Sequence, residues 1–396
     1  MDMIADDTHL PLDIDAQPVV QAAKALQPVV REYKDEIERN QCFPPSLVKQ
    51  LHAAGLYRIL LPRKYGGLQA DPLTYTRIAE LMAQSVGSVG WNIANNGIVQ
   101  LVCIGLPDEG VEEMYGDRGE TVAAGTAVQG GGTAVPVEGG YRVTGRWSFG
   151  SGASEASWML ASFKVEGREG YWRGVFRKEE TTILPGTWEV AGLRGTGSFD
   201  WTVDNVFLPE RRTVIHAGVP LDNQWAKWPG TTYQLPVQCW VGPHHSSVIT
   251  GIAQAGIDAL IELAVDKTPR GRTGMLRDNP QVQESVGRAE TMLNAGRSYR
   301  NEVIRDMWNT VVRGEAPTIV QKARGRLASS FAGDCARQAM DLMYRAGGST
   351  SFKTDSRLAE CWRDLQTVSQ TVNVMPEWYP IGGRAIMGMD PGPRLR

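Results

Sequence analysis

What most constrains this chain is a hydrophobic period that changes twice along its length. Up to about residue 118 the apolar residues recur every three to four positions. In "DAQPVVQAAKALQPVVREYKDEIERN", Val19, Ala23, Leu26, Val30, Tyr33 and Ile37 form one stripe of an amphipathic helix. "PPSLVKQLHAAGLYRILLPRKYGG" opens on proline and places Gly55 as a helix stop, and "DPLTYTRIAELMAQS" offers Asp71 as a cap with Pro72 in the first turn. "VGSVGWNIANNGIVQLVCIGL" continues as a buried helix whose small residues permit close approach. From about Glu120 to Trp228 the runs become short and β-type: "TVAAGTAV", "GGYRVTGRWSFGSGA", "WMLASFKV", "YWRGVFRK" and "SFDWTVDNVFLP", parted by glycine turns. Between Pro209 and Pro236 the chain reads as irregular and rich in tryptophan and proline. Past Pro236 long helices return, over about 245–266, 279–313, 316–346 and 355–374.

A chain of 396 residues exceeds what one hydrophobic core organises. The periods divide it into an N-terminal α-helical domain (1–118), a middle β-barrel or sandwich with its following loop (119–235), and a C-terminal helical bundle (236–396): a multidomain α+β protein. Net charge is −3, from 41 basic and 44 acidic residues, which offers no attraction to nucleic acid or an anionic membrane. No uninterrupted apolar run of spanning length stands out. "MDMIADDTHLPLDID" lacks a basic-then-apolar leader, so a cytoplasmic protein is expected. The five cysteines are scattered without a CxxC pair, and neither they nor the five histidines show metal-ligand spacing.

The chemistry is narrowed further by missing motifs. There is no GxxxxGK[ST] and no GxSxG, and "GTGSFD" at Gly195 follows no Rossmann strand. An enzyme so poor in nucleophile and base motifs would be expected to draw its reactivity from a cofactor. Two stretches invite attention. "YRVTGRWSFGSGASEASWML" (141–160) packs Trp147, Ser148 and Ser151 around Gly150 and Gly152; by itself it is equally a functional strand or a core aromatic beside a glycine bulge. In "GWNIANNG", Asn92 and Asn96 share one helix face, with Asn95 beside them. Amides there could donate and accept in a pocket, or simply pack helices.

Four stretches, in this order and spacing, resemble the acyl-CoA dehydrogenase superfamily, and within it the oxygenase components of flavin-dependent monooxygenases. They are "SVGWNIANNG" (88–97), "GYRVTGRWSFGSGASEASW" (140–158), "GLRGTGSFDWTVDNVFLPERR" (192–212) and "YRAGGSTSFKTDSRLAECWRDLQTVSQ" (344–370). The resemblance implies an N-terminal α-domain, a middle β-domain and a C-terminal four-helix bundle, assembled as a homotetramer, with a flavin ring between sheet and bundle. It implies that Trp147, Ser148, Ser151 and Gly152 line that ring. Arg270 and Arg272 would meet its phosphates, and Gly347 and Gly348 would let a neighbouring subunit approach its tail. The cofactor would be reduced FMN or FAD, delivered by diffusion from a separate NAD(P)H:flavin reductase, with dioxygen as cosubstrate.

A dehydrogenase of this superfamily needs a carboxylate over the flavin to remove an α-proton. The usual place follows the "RD" run, where this chain has Gln370, Thr371 and Val372; Glu262 and Glu377 are the remaining candidates. An oxygenase forms a flavin C4a-hydroperoxide and needs a dry pocket, a hydrogen-bonding group and room for substrate. Asn92, Asn96 and Ser151 are expected on the oxygen side, Gln370 and Thr371 facing the substrate. Trp201, Trp225, Trp228, Tyr233 and Trp240 are candidates for an aromatic wall. Hydroxylases of this branch carry a histidine after the "RD" run, and this chain has none after His245. Either His244 or His245 supplies it, or the substrate needs no base. The expectation is a flavin monooxygenase acting on an aromatic or polycyclic molecule. The alternatives are an FAD dehydrogenase of CoA thioesters and a non-catalytic member of the fold.

Overall fold

The computed structural model describes residues 8–117, 121–126, 130–216, 224–271 and 273–395. Six helices come first: α1 (Pro18–Glu32), α2 (Lys34–Asn40), α3 (Pro45–Ala53), α4 (Pro72–Ser85), α5 (Gly87–Cys103) and α6 (Asp108–Tyr115). The first apolar stripe is shared by two of them, because the helix breaks at Tyr33. Its fully buried residues are Ala23, Val30 and Ile37, joined by Val20, while Val19, Leu26 and Tyr33 pack half-buried against the same core. Asp71 caps α4 as the sequence suggests, its carboxylate accepting from the Leu73 and Thr74 amides at 2.9 and 3.0 Å. Val86, extended at φ −144°, separates α4 from α5. A Cβ on the next residue, Gly87, would lie 2.6 Å from Asp364 Oδ2, so only glycine lets α5 start this close to the C-terminal helices.

The strands are β1 (Ala123–Gly125), β2 (Gly132–Val137), β3 (Gly140–Gly150), β4 (Trp158–Val165), β5 (Tyr171–Arg177), β6 (Thr182–Leu184), β7 (Phe199–Pro209) and β8 (Thr213–His216). They pair along one path, β6-β7-β3-β2-β4-β5-β8, with β1 added parallel to β4. The path joins two antiparallel groups through a short parallel contact between β2 and β4. Its inner face buries Tyr141, Trp147, Phe163, Phe176 and Trp201. The segment expected to be irregular after Pro209 supplies β8, which pairs with β5 from Gly174 to Tyr171, and then the short helix α7 (Thr231–Gln234).

The remaining helices are α8 (Val241–Asp266), α9 (Pro280–Val312), α10 (Ile319–Ala346), α11 (Arg357–Val368) and α12 (Trp378–Ile386). A capping box between Thr318 and Gln321 starts α10. The stretch 237–266, which contains α8, is long and apolar enough by composition to cross a membrane, with a mean hydropathy of 1.6. Here it is a core helix: two thirds of that apolar window is buried, against α4, α10 and α11. A buried ion pair ties the two helical regions together. Glu80 of α4 meets Arg297 at 2.5 Å and Arg300 at 3.5 Å, both on α9, and these guanidiniums hold its carboxyl below the usual range despite burial. The last helical run stops earlier than its periodicity suggests. α11 ends at Val368, and residues 369–377 turn back across the bundle. That early stop creates one wall of the site.

Candidate active site

A cavity of about 1200 Å³ lies where the sheet, α5, α8, α10 and α11 converge. A pocket for one drug-sized ligand is commonly about 300–1000 Å³, so this one has room for a flavin ring and a substrate side by side. Helix α5 presents Trp91, Asn95, Ile98 and Val99, spaced as one helical face. The sheet side contributes Phe149, Ser151, Trp188, Thr196 and Ser198. The bundle contributes His244, His245, Arg326, Trp362 and Arg363, and the turn after α11 adds Gln370, Thr371 and Asn373.

The sheet-side hydroxyls form a hydrogen-bond chain whose direction is fixed. Thr196 Oγ1 donates to the Leu193 carbonyl at 2.9 Å, so Ser198, 2.8 Å away, donates to Thr196. Ser151, 2.7 Å from Ser198, must then donate to it, and accepts from Trp91 Nε1 at 3.0 Å. Every proton in the chain is engaged, and Ser151 keeps acceptor capacity only. The chain is anchored from below. The Leu193 amide donates to Asp364 Oδ1 at 2.7 Å, and burial, then Glu360, push the Asp364 carboxyl up to about 7.

The bundle wall is arranged differently. Arg326 Nη1 donates to Asn373 Oδ1 at 2.8 Å, which orients that amide, and Asn373 Nδ2 lies 2.9 Å from His245 Nδ1. Nδ1 of His245 is therefore an acceptor and its ring proton sits on Nε2, which has no protein partner. His244 has the opposite tautomer: Nδ1 donates to the Trp240 carbonyl at 2.5 Å, leaving an unpartnered lone pair on Nε2. The two rings are 3.9 Å apart. Burial drives the His244 pKa down to about 3, and burial, His244 and Arg326 drive His245 well below its ordinary value, so both are neutral at pH 7. Trp91 joins the walls, since its face stacks on His245 at 4.7 Å and 13° while its N–H serves Ser151.

Of the residues singled out in the sequence, Asn95, Ser151, His244, His245, Gln370, Thr371 and Val372 are brought to this cavity. Others lie elsewhere. Trp147 is a sheet-core residue: its N–H donates to the Gly130 and Ser162 carbonyls at 2.9 and 2.8 Å, and its ring stacks on Trp201 at 4.7 Å. Ser148 is exposed on β3. Phe149, not Trp147 or Ser148, is the strand aromatic at the cavity. Its φ of +63° turns it out of the sheet, where it is 62% exposed and meets Trp188 edge-on at 6.2 Å. Asn92 and Asn96 are buried against the sheet turn: Asn92 Nδ2 donates to the Thr196 carbonyl at 3.2 Å, and both amides crowd Gly152. The cavity face of α5 is the neighbouring one, carrying Trp91 and Asn95. Gly152 has φ +78°, and a Cβ there would lie 3.0 Å from Asn96 Nδ2, so glycine is needed for this turn.

Arg270 is exposed beyond α8, and Arg272 lies outside the described residues. Gly347 and Gly348 close α10 in a corner with Lys267, whose ammonium donates to the Gly347 carbonyl at 2.6 Å, away from the cavity. Trp201, Trp225, Tyr233 and Trp240 are core residues, and Trp228 donates to the Ile104 carbonyl at 2.7 Å; none borders the cavity, whose tryptophans are Trp91, Trp188 and Trp362. Glu262 and Glu377 are exposed, and no carboxylate is among the described residues lining the cavity. The sequence reading passed over Arg326, Asn373, Thr196 and Ser198. Only the alternation of Thr196 and Ser198 in "GTGS" signalled a shared hydroxyl face.

Comparison with known proteins decides the lineage. The acyl-CoA dehydrogenase N-terminal domain matches residues 19–108 and the acyl-CoA dehydrogenase C-terminal domain matches 244–374. An indole-3-acetate monooxygenase of Pseudomonas putida is 29% identical over 366 residues, 90% of each chain. The chain belongs to the acyl-CoA dehydrogenase superfamily. Within it the chain is the oxygenase component of a flavin-dependent monooxygenase. The flavin-dependent monooxygenase oxygenase subunit HsaA of Rhodococcus jostii is 27% identical over 358 residues, covering 87% of this chain and 91% of that one. The crystal structure of 3-HSA hydroxylase from Rhodococcus sp. RHA1 superposes with a TM-score of 0.87 at 26% identity, over 95% of this chain and 98% of the other. The oxygenase therefore works on reduced flavin supplied by a separate reductase. The cavity fits that group: it is large, walled by aromatic rings, and edged by the Ser151 hydroxyl on the sheet side.

Proposed function

We propose that the oxygenase transfers one atom of dioxygen to an aromatic small molecule held against the bundle wall, with the flavin ring on the sheet side between Phe149, Ser151 and Trp188. When bound, the reduced flavin supplies the electron pair that activates dioxygen; the second oxygen atom leaves as water. The observation that carries this reading is the pairing of a cavity of about 1200 Å³ with a neutral histidine pair and no carboxylate among the described residues that line it. An α-proton abstraction has no base there, whereas an oxygen transfer needs polarity without charge and little water.

In this reading His245 is the residue that matters most. Its Nε2–H is a fixed donor, held by Asn373, that hydrogen-bonds the reacting oxygen. His244 accepts a hydrogen bond and is too weak a base, at about 3, to take a proton at neutral pH. Gln370 and Thr371 border the substrate, and Asn92 and Asn96 hold the Gly152 turn rather than the oxygen. Arg270 and the Gly347–Gly348 corner are where a neighbouring subunit of a homotetramer would meet the flavin's tail. Flavin reaches the protein by diffusion from an NAD(P)H-dependent reductase in the cytoplasm. FMN and FAD both satisfy the ring-binding wall. The test is to supply chemically reduced flavin and oxygen with a panel of aromatic compounds and to measure product formed against hydrogen peroxide released. Hydroxylated or S-oxygenated product supports the reading. Peroxide alone across the panel, with bound flavin bleached by acyl-CoA instead, would overturn it.

A further inference from the structure

Arg326 differs from two other buried arginines, Arg212 and Arg300. Arg212 is 5% exposed and pairs with Glu113 and Glu180; Arg300 is 2% exposed and pairs with Glu80. Arg326 is 6% exposed, yet no carboxylate among the described residues lies within ion-pair distance of it. Its one hydrogen bond goes to the neutral amide oxygen of Asn373, and its Nε is buried without a partner. A neighbouring charge makes matters worse. Arg326 and Arg394 both rest on the ring of Trp378, at 4.4 and 4.7 Å from its centre. Burial and Arg394 together lower the Arg326 pKa to about 9. A buried charge without a counterion is costly, and a second like charge beside it adds to the cost. The indole quadrupole offsets only part of this.

Both guanidiniums border the cavity, at the end formed by His244, His245 and Asn373. Arg173 and Arg363 also line it, and none of the described residues lining it is acidic. We propose that the aromatic substrate carries a carboxylate, and that Arg326 with Arg394 is its binding site. This rests on the oxygenase reading for the identity of the cavity's ligand. A guanidinium held in place by Asn373 presents paired N–H donors to a planar carboxylate. The ring then lies toward His245, and the network Arg326–Asn373–His245 links recognition of the anion to the donor at the reacting end.

The test uses equilibrium binding to the full-length protein without flavin or turnover, read by quenching of tryptophan fluorescence, since three tryptophans line the cavity. The probes are 1-naphthylacetate and phenylacetate, each against its neutral amide. The carboxylate should bind at least about tenfold tighter than the amide, the scale of a charged hydrogen-bonded contact. Arg326→Met should erase that preference, and Arg394→Met should reduce it. Equal binding of acid and amide by the wild type, no binding of any probe, or a preference surviving in Arg326→Met overturns the proposal. Loss of the preference for FMN over riboflavin in Arg326→Met, with the acid preference intact, would instead assign the guanidinium to the cofactor's phosphate. Because no oxygen chemistry is read, failure of the oxygenase reading appears separately, as peroxide without product in the reduced-flavin assay.

Discussion

The two walls of the cavity use polar side chains in opposite ways. On the sheet side, Trp91, Ser151, Ser198 and Thr196 hand protons along one direction to a backbone carbonyl, and each donor is matched. On the bundle side, His244, His245 and Arg326 have polar nitrogens without protein partners, and all three border the cavity. Unmatched buried groups weaken a fold, and a protein keeps them where a ligand supplies the partner. The sheet wall therefore reads as scaffold and the bundle wall as the reacting surface. Trp91, touching both, fixes their separation.

This contrast can be broken by substitution. His245→Ala should cost most, lowering product formed per reduced flavin by about 100-fold, the scale for a positioned proton donor. Hydrogen peroxide should rise in compensation while the melting temperature changes little. Gly152→Ala should act on the scaffold instead. It forces a Cβ onto a residue at φ +78° and toward Asn96, costing about 2 kcal/mol in denaturant unfolding. Ser198→Ala should cost about 1 kcal/mol, since it leaves Thr196 and Ser151 each short of a partner.

Asp364→Asn should act through the pH dependence of stability. The folded carboxyl titrates at about 7, well above the ordinary value near 3.9. Its protonated form thus contributes stability that is full below about pH 4 and is lost as the pH rises to 7. Asparagine keeps an acceptor for the Leu193 amide and does not titrate. The variant should gain on the wild type between pH 4 and 7, with a constant gap above; thermal melts across that range check it.

The same contrast explains what the sequence revealed. The three-part organisation was legible because hydrophobic period is a local property, and α4 was legible down to its Asp71 cap. Ser151 was legible through the segment it shares with the family, and His245 as one of the last two histidines of the chain. The α5 face was not. Helical spacing groups Asn92 with Asn96 and equally Trp91 with Asn95, and only the packing of Gly152 against the former pair decides which turns to the cavity. Trp147 was misplaced because a strand alternates sides, and the left-handed Phe149 shifts that alternation by one residue. Arg326 and Asn373 come from separate elements, α10 and the turn after α11, and no linear pattern joins them.

The most direct test of the division between walls is the ratio of oxygenated product to reduced flavin consumed, measured side by side in His245→Ala and Ser198→Ala. The account predicts that the ratio collapses in the first and stays near the wild-type value in the second, which loses only stability. A His245→Ala protein that still couples, beside a Ser198→Ala protein that releases peroxide, would reverse the assignment of scaffold and reacting surface.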